Sequence, residues 1–269
     1  MLGRNLVDSI ANTKPAASKL LVWPLGQMSF AVKSESATLV FDLYLSRNDK
    51  CLIPAPFAPE DVTFADFFFG SHNHGDHIDK PIWKALSEAS PKARFVVPKI
   101  HVAKLSDELG IDASRFVGIS DGETIDLGPA RVTGVAASHE LLDRDETSGE
   151  YPYMGFIVEI DGRRIYHSGD TCVYEGLHPR IRARGGIDIM FLPINGRGGN
   201  KFRSNIAGNM TYQEAVDLAG AMKPDVVIPC HYNMHTFNLE NPQEFVSYLT
   251  AKYPGQKYAL PEPFESICL

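Results

Sequence analysis

Paired thiols are missing from this chain. Its four cysteines, Cys51, Cys172, Cys230 and Cys268, stand far apart with no Cys-x-x-Cys spacing, which excludes a disulfide framework and a thiolate zinc site. They read as free thiols in a reducing compartment. No apolar run approaches the length of a membrane span, and Met1 to Lys19 is polar without the continuous hydrophobic stretch of a secretory signal. The expected location is therefore cytoplasmic, with no membrane partner. Positive charge is also short: 26 Lys and Arg against 33 Asp and Glu leave a net charge of −7, which counts against long nucleic acid and points to a small-molecule substrate. No repeat period, low-complexity linker or charge block divides the 269 residues, so one domain over 1–269 is expected. Composition leaves a homo-oligomer open.

Against this unremarkable background stands His72-Asn73-His74-Gly75-Asp76-His77, directly after the apolar run Phe67-Phe68-Phe69. Three imidazoles and a carboxylate in one turn-sized loop are ligands for zinc, manganese or iron, and crowding them is unfavourable unless a cation shares them. With 9 His in the chain, such a string arises by chance with a probability on the order of 10⁻³.

The flanking pattern places this loop. Residues 20–23, 29–32 and 38–42 are β-branched or aromatic and read as consecutive antiparallel strands, and 66–70 reads as a short buried strand. Helical patterning follows at 80–90, where Pro81 suits a first turn, then a strand at 94–97 and a helix at 100–109 ended by Gly110. Strands are expected at 116–119, 123–127, 130–137, 154–160 and 163–167, with Asp161-Gly162 as a hairpin turn between the last two. Strand 187–193 leads into a Gly-rich loop, and Thr211 with Glu214 has the spacing of a capping box opening a helix to 222. Strand 225–229 and helix 242–253 follow. Mixed layers of this kind need helices packed outside two sheets.

Four positions lie just beyond the C-terminal ends of these strands: the 72–77 loop, His139, Asp170 within Ser168-Gly169-Asp170, and His231 after Pro229-Cys230. A lone His139 reads first as a hydrogen-bonded core histidine, and a lone Asp170 as a turn residue. Strand ends gather residues distant in sequence, so the repetition outweighs each separate reading. His101, His167, His178 and His235 are assigned structural or exposed roles, His235 being only four residues past His231.

In this order, His72-x-His74-x-Asp76-His77, His139, Ser168-Gly169-Asp170 and Cys230-His231 resemble the metallo-β-lactamase-fold hydrolases. The segment Gly208-Asn209-Met210-Thr211, with the strand ending in Pro229-Cys230-His231, is similar to the branch containing the L-ascorbate-6-phosphate lactonases. This chain departs from that branch in being shorter and in carrying His139. The resemblance implies an α/β (α+β) fold, a four-layer αββα sandwich. It also implies one or two divalent ions: His72, His74 and His139 on one, Asp76, His77 and His231 on the other, Asp170 bridging.

A cation held by imidazoles stays electrophilic and lowers the pKa of its water to about 7, so metal-dependent hydrolysis is the expected reaction. Asp76 and Asp170 are the catalytic candidates, Asp76 favoured for proton transfer because a bridging Asp170 has its lone pairs committed. Zinc and manganese both fit a nitrogen and oxygen ligand set, and iron is permitted. For substrate recognition the Gly-rich loop offers Asn195, Arg197, Lys201 and Arg203, whose cations could grip an anion. The expected substrate is a small anionic metabolite, with a lactone of sugar-phosphate type as the favoured bond. A phosphodiesterase of the same fold and a non-catalytic metal-binding protein are the rivals.

Overall fold

The computed structural model describes residues 1–269. In chain order its elements are α1 (Arg4–Asn12), β1 (Leu21–Gly26), β2 (Ser29–Lys33), β3 (Thr38–Phe41), β4 (Phe67–Phe69), α2 (Lys80–Ala89), β5 (Arg94–Pro98), α3 (Val102–Leu109) and β6 (Phe116–Ile119). The second half contains β7 (Thr124–Asp126), β8 (Ala130–Ala136), β9 (Met154–Ile160), β10 (Arg163–His167), α4 (Leu177–Arg182), β11 (Ile189–Pro193), α5 (Gly199–Arg203), α6 (Tyr212–Met222), β12 (Val226–Cys230), α7 (Pro242–Lys252) and β13 (Ile267–Cys268).

The strands form two sheets, ordered β13-β1-β2-β3-β4-β5-β6 and β12-β11-β10-β9-β8-β7. Strand alternation explains how they stack. In β4, Phe67 and Phe69 face the layer between the sheets, where Phe41 and Phe156 also lie, whereas Phe68 turns outward to Trp83 of α2 and Phe95. The outer face of the second sheet is covered in the same way: Tyr166, Met190 and Val227 pack against Leu177, Val216 and Phe245 of α4, α6 and α7. Three apolar layers between four structural layers make the αββα sandwich. Each fully buried Phe in the central layer contributes about 1.5–3 kcal/mol of transfer free energy.

Local signals set the element ends. Asp161 and Gly162 both take positive φ, 47° and 76°, as a primed hairpin turn requires. Thr211 and Glu214 form the reciprocal capping box at the start of α6, and Asn241 caps α7 ahead of Pro242. Four elements lie outside the sequence expectation, one of them α4, in the stretch between β10 and β11. The N-terminal segment, read only as polar, contains α1, whose stripe Leu6, Val7 and Ile10 is buried against the first sheet. Part of the Gly-rich loop winds into α5, and the C-terminal β13 adds an edge strand beside β1.

Candidate metal centre

The site is built at one edge of the sandwich, from the ends of strands in both sheets. Gly70 lets the chain leave β4 past Ile78 and Trp83, because a Cβ there would stand 2.6 Å from the Ile78 side chain. The 72–77 loop then closes as a turn, with His77 N and Ile78 N donating to His74 O at 3.1 and 2.8 Å. Its imidazoles turn inward. His72 Nε2 and His74 Nδ1 stand 2.9 Å apart, and the His72 and His139 ring centroids are 5.2 Å apart.

Asp170 reaches the same point from the end of β10, and His231 from the end of β12. One oxygen, Asp170 Oδ2, lies 3.4 Å from His77 Nε2, 3.7 Å from His139 Nε2 and 3.2 Å from His231 Nε2. Asp76 Oδ2 lies 3.7 Å from His77 Nε2 and 3.6 Å from His231 Nε2. The structure thus brings together all seven side chains named from the sequence. They form three overlapping groups whose donor atoms lie within 4.8 Å of one another: His72, His74 and His139; His72, His77 and Asp170; Asp76, His77 and His231.

A second ring of contacts orients these groups. His77 Nδ1 donates to Asp42 Oδ2 at 2.7 Å, and His139 Nδ1 donates to the carbonyl of Gly208 at 3.1 Å. In both rings this commits Nδ1 and leaves Nε2 to face the cluster. Asp42, fully buried, also accepts from Ser71 N and Ser71 Oγ, both at 2.7 Å, tying the loop to the end of β3. Gln27, in the turn between β1 and β2, donates from Nε2 to Asp76 Oδ2 at 3.1 Å, and its carbonyl accepts from His231 N at 3.2 Å. Strained backbone concentrates here: Gln27, Asp42, Glu140 and His231 are non-glycine residues with φ of 57°, 43°, 70° and 59°. Neither Gln27 nor Asp42 belongs to a spaced motif; in the sequence only their places at strand ends mark them.

The electrostatics favour cation ligands. Burial and the neighbouring His77 hold His72 well below the usual imidazole range, and burial with His139 lowers His74, so both are neutral nitrogen donors. Burial pushes the Asp170 carboxyl up, but His231 and His77 outweigh it and hold the group well below the carboxylate range. Burial likewise opposes charge on His77, and the surrounding carboxylates of Asp170, Asp76 and Asp42 overcome it, raising that imidazole well above its usual range. His77 Nε2, Asp170 Oδ1 and His231 Nδ1 are buried without a hydrogen-bond partner. Buried polar atoms left this way are costly, and a donor set of nitrogen and oxygen alone fits divalent cations.

The cluster opens onto a cleft of about 570 Å³. Asn205, Ile206 and Ala207 form one part of its wall, Tyr44, His235 and Phe237 another. The four residues expected to contact substrate are placed elsewhere. Arg197 makes a bidentate pair with Glu214, both N···O distances 2.7 Å; Lys201 Nζ donates to the Asn195 carbonyl; Arg203 donates to Asn200 Oδ1 at 2.9 Å. Asn195 is buried behind the wall, bonded to Asn209 and Asn238. His235, assigned a structural or exposed role, instead lines the cleft.

Residues 40–232 match the model of the β-lactamase superfamily domain. The chain belongs to that superfamily. Within it, a UPF0173 metal-dependent hydrolase of Archaeoglobus fulgidus is 32% identical over 91% of this chain and 97% of its own. Another UPF0173 metal-dependent hydrolase, from Pyrococcus abyssi, is 30% identical over 82% of this chain and 88% of its own. The chain also shares its fold with Igni18, a metallo hydrolase of Ignicoccus hospitalis, at a TM-score of 0.73 and 20% identity, covering 94% and 99% of the two chains. Metal-dependent hydrolysis is therefore the family chemistry to which the His and Asp cluster belongs. No helix of this hydrolase is long and apolar enough to cross a membrane.

Proposed function

We propose that this hydrolase opens a lactone, or a closely related carboxylic ester, of a small metabolite. The observation that carries the reading is the seat of Asp170, one oxygen within 3.7 Å of three imidazoles on the floor of an open cleft. On this reading His72, His74 and His139 would hold one divalent cation, Asp76, His77 and His231 would hold a second, and Asp170 would add its carboxylate to the set. Zinc or manganese suits these donors, and iron is compatible with them. When bound, such cations supply water acidified to near neutrality and a Lewis acid for the substrate carbonyl.

The chain's own groups position the substrate and move the proton. Asp76 lines the cleft and is the less buried of the two carboxylates, so its oxygen accepts a proton from water and returns it to the departing alkoxide. Gln27 holds Asp76 in place through its 3.1 Å hydrogen bond. Asp170, wedged among three imidazoles, keeps its charge and fixes their spacing. The likeness of 208–211 and the strand before His231 to lactonases supports the choice of bond. A phosphodiester would bring a permanent negative charge past walls that carry no lysine or arginine.

Protein reconstituted with zinc or manganese is expected to hydrolyse a generic lactone faster than bis-p-nitrophenyl phosphate, and chelation is expected to abolish both activities. Asp76→Ala should lower kcat by about 10²- to 10⁴-fold, with bound metal measured in parallel by elemental analysis. Turnover of the phosphodiester alone would replace the lactone reading. Turnover of neither by metal-loaded protein would remove the catalytic one.

A further inference from the structure

We infer that the substrate is uncharged and carries an aryl or alkyl group, which rests on the ring of Phe237. This builds on the metal-centre reading above and narrows it. It departs from the anionic metabolite expected from the sequence, because the cleft supplies no lysine or arginine to hold an anion away from the metal centre.

Phe237 is 55% exposed although its ring lies at the mouth of the cleft. It is held there as one half of a stack: its ring is 5.1 Å from that of His235 and 8° from parallel. His235 is fixed from behind, with Nδ1 3.9 Å from Cys51 Sγ, while Tyr44 Oη lies 3.8 Å from the same sulfur. Backbone pairing secures the segment, through the Cys51 and His235 bridge and a 2.8 Å bond from Leu52 N to Met234 O. An aromatic ring presented on a fixed support beside a reactive centre offers a flat apolar face at little ordering cost. Ile206 and Ala207, also on the cleft wall, add apolar surface.

Charge selects in the same direction. No lysine or arginine lines the cleft, whereas Asp76, Asp79 and Asp170 do. Arg47 sits behind Tyr44 with its guanidinium spent on the carbonyls of Leu25, Tyr44 and Pro54. Arg197, Lys201 and Arg203 are spent on Glu214, Asn195 and Asn200. A carboxylate or phosphate on the distal part of the substrate would lose hydration without gaining a cationic side chain, and would lie near the carboxylates of Asp76 and Asp79.

Calorimetric binding to the zinc-loaded protein tests this without turnover, using three hydroxamates that share a metal-binding head: acetohydroxamate, 3-phenylpropionohydroxamate and succinic monohydroxamate. The phenyl compound is expected to bind at least tenfold tighter than acetohydroxamate, and the anionic succinyl compound more weakly than either. Phe237→Ala should remove the phenyl advantage while leaving acetohydroxamate unchanged, and Phe237→Tyr should retain it. Tightest binding by the succinyl compound, or a phenyl advantage that survives Phe237→Ala, would overturn the proposal and leave the hydrolase reading standing. Failure of all three to bind would overturn the metal-centre reading and this proposal with it.

Discussion

The 72–77 loop and the 195–208 loop both leave the C-terminal end of a buried strand and both border one cleft, yet they are held in opposite ways. The first is closed by its own backbone and anchored through Asp42 and Ser71, so that its chemically active groups point inward. The second has its charged groups drawn away onto Glu214, Asn195 and Asn200, and it meets the cleft with Asn205, Ile206 and Ala207. The difference follows from what each side chain accepts as a partner. A crowded set of imidazoles, buried at His72 and His77, has few satisfactory arrangements, whereas an arginine or lysine on a flexible stem is satisfied by any nearby carboxylate or carbonyl.

Three substitutions would break or sharpen this contrast. The largest effect is expected for Asp42→Asn, which removes the charge behind His77 Nδ1 and should weaken metal affinity by about 10- to 100-fold in a competition titration. Metal affinity equal to the parent would mean that the loop orders its imidazoles without β3. Next is Gly208→Ala, whose Cβ would stand 2.2 Å from Arg197 Cβ. It should cost about 1–3 kcal/mol in denaturant unfolding and weaken metal affinity less than Asp42→Asn does. An alanine accommodated without loss would show that the second loop is not clamped. The smallest effect belongs to Arg197→Ala, under about 1 kcal/mol because its pair with Glu214 is partly exposed. In a double-mutant cycle with Glu214→Gln the two losses should be non-additive, as for a brace. A rise in KM confined to anionic substrates and to Arg197→Ala would return that residue to recognition.

What was legible in the sequence divides along the same line. The short buried strand at 66–70, the Asp161-Gly162 turn and the Thr211 capping box are local patterns with one physical solution, and each stands where its pattern placed it. The seven metal-ligand candidates could be ranked because each follows an apolar strand. Helix α1 escaped notice because its apolar stripe is only Leu6, Val7 and Ile10, too short to stand out from a polar segment. Gln27 and Asp42 escaped for a different reason. Their contacts span 49 and 35 residues, and a lone polar residue after a strand looks like any turn. The aromatic support under Phe237 depends on Cys51 meeting His235 across 184 residues, a juxtaposition that no spacing encodes.

The contacts that orient His77 and His139 through Nδ1 differ in how exposed they are to genetic change. His77 leans on the side chain of Asp42, so a single codon can delete its partner. His139 leans on the carbonyl of Gly208, an acceptor that every amino acid carries. Mutation at 208 can move that acceptor but cannot remove it. Orientation of His77 is therefore a heritable choice of residue, while orientation of His139 is set by the path of the loop, which insertions and deletions between β11 and α6 would alter far more readily than point changes.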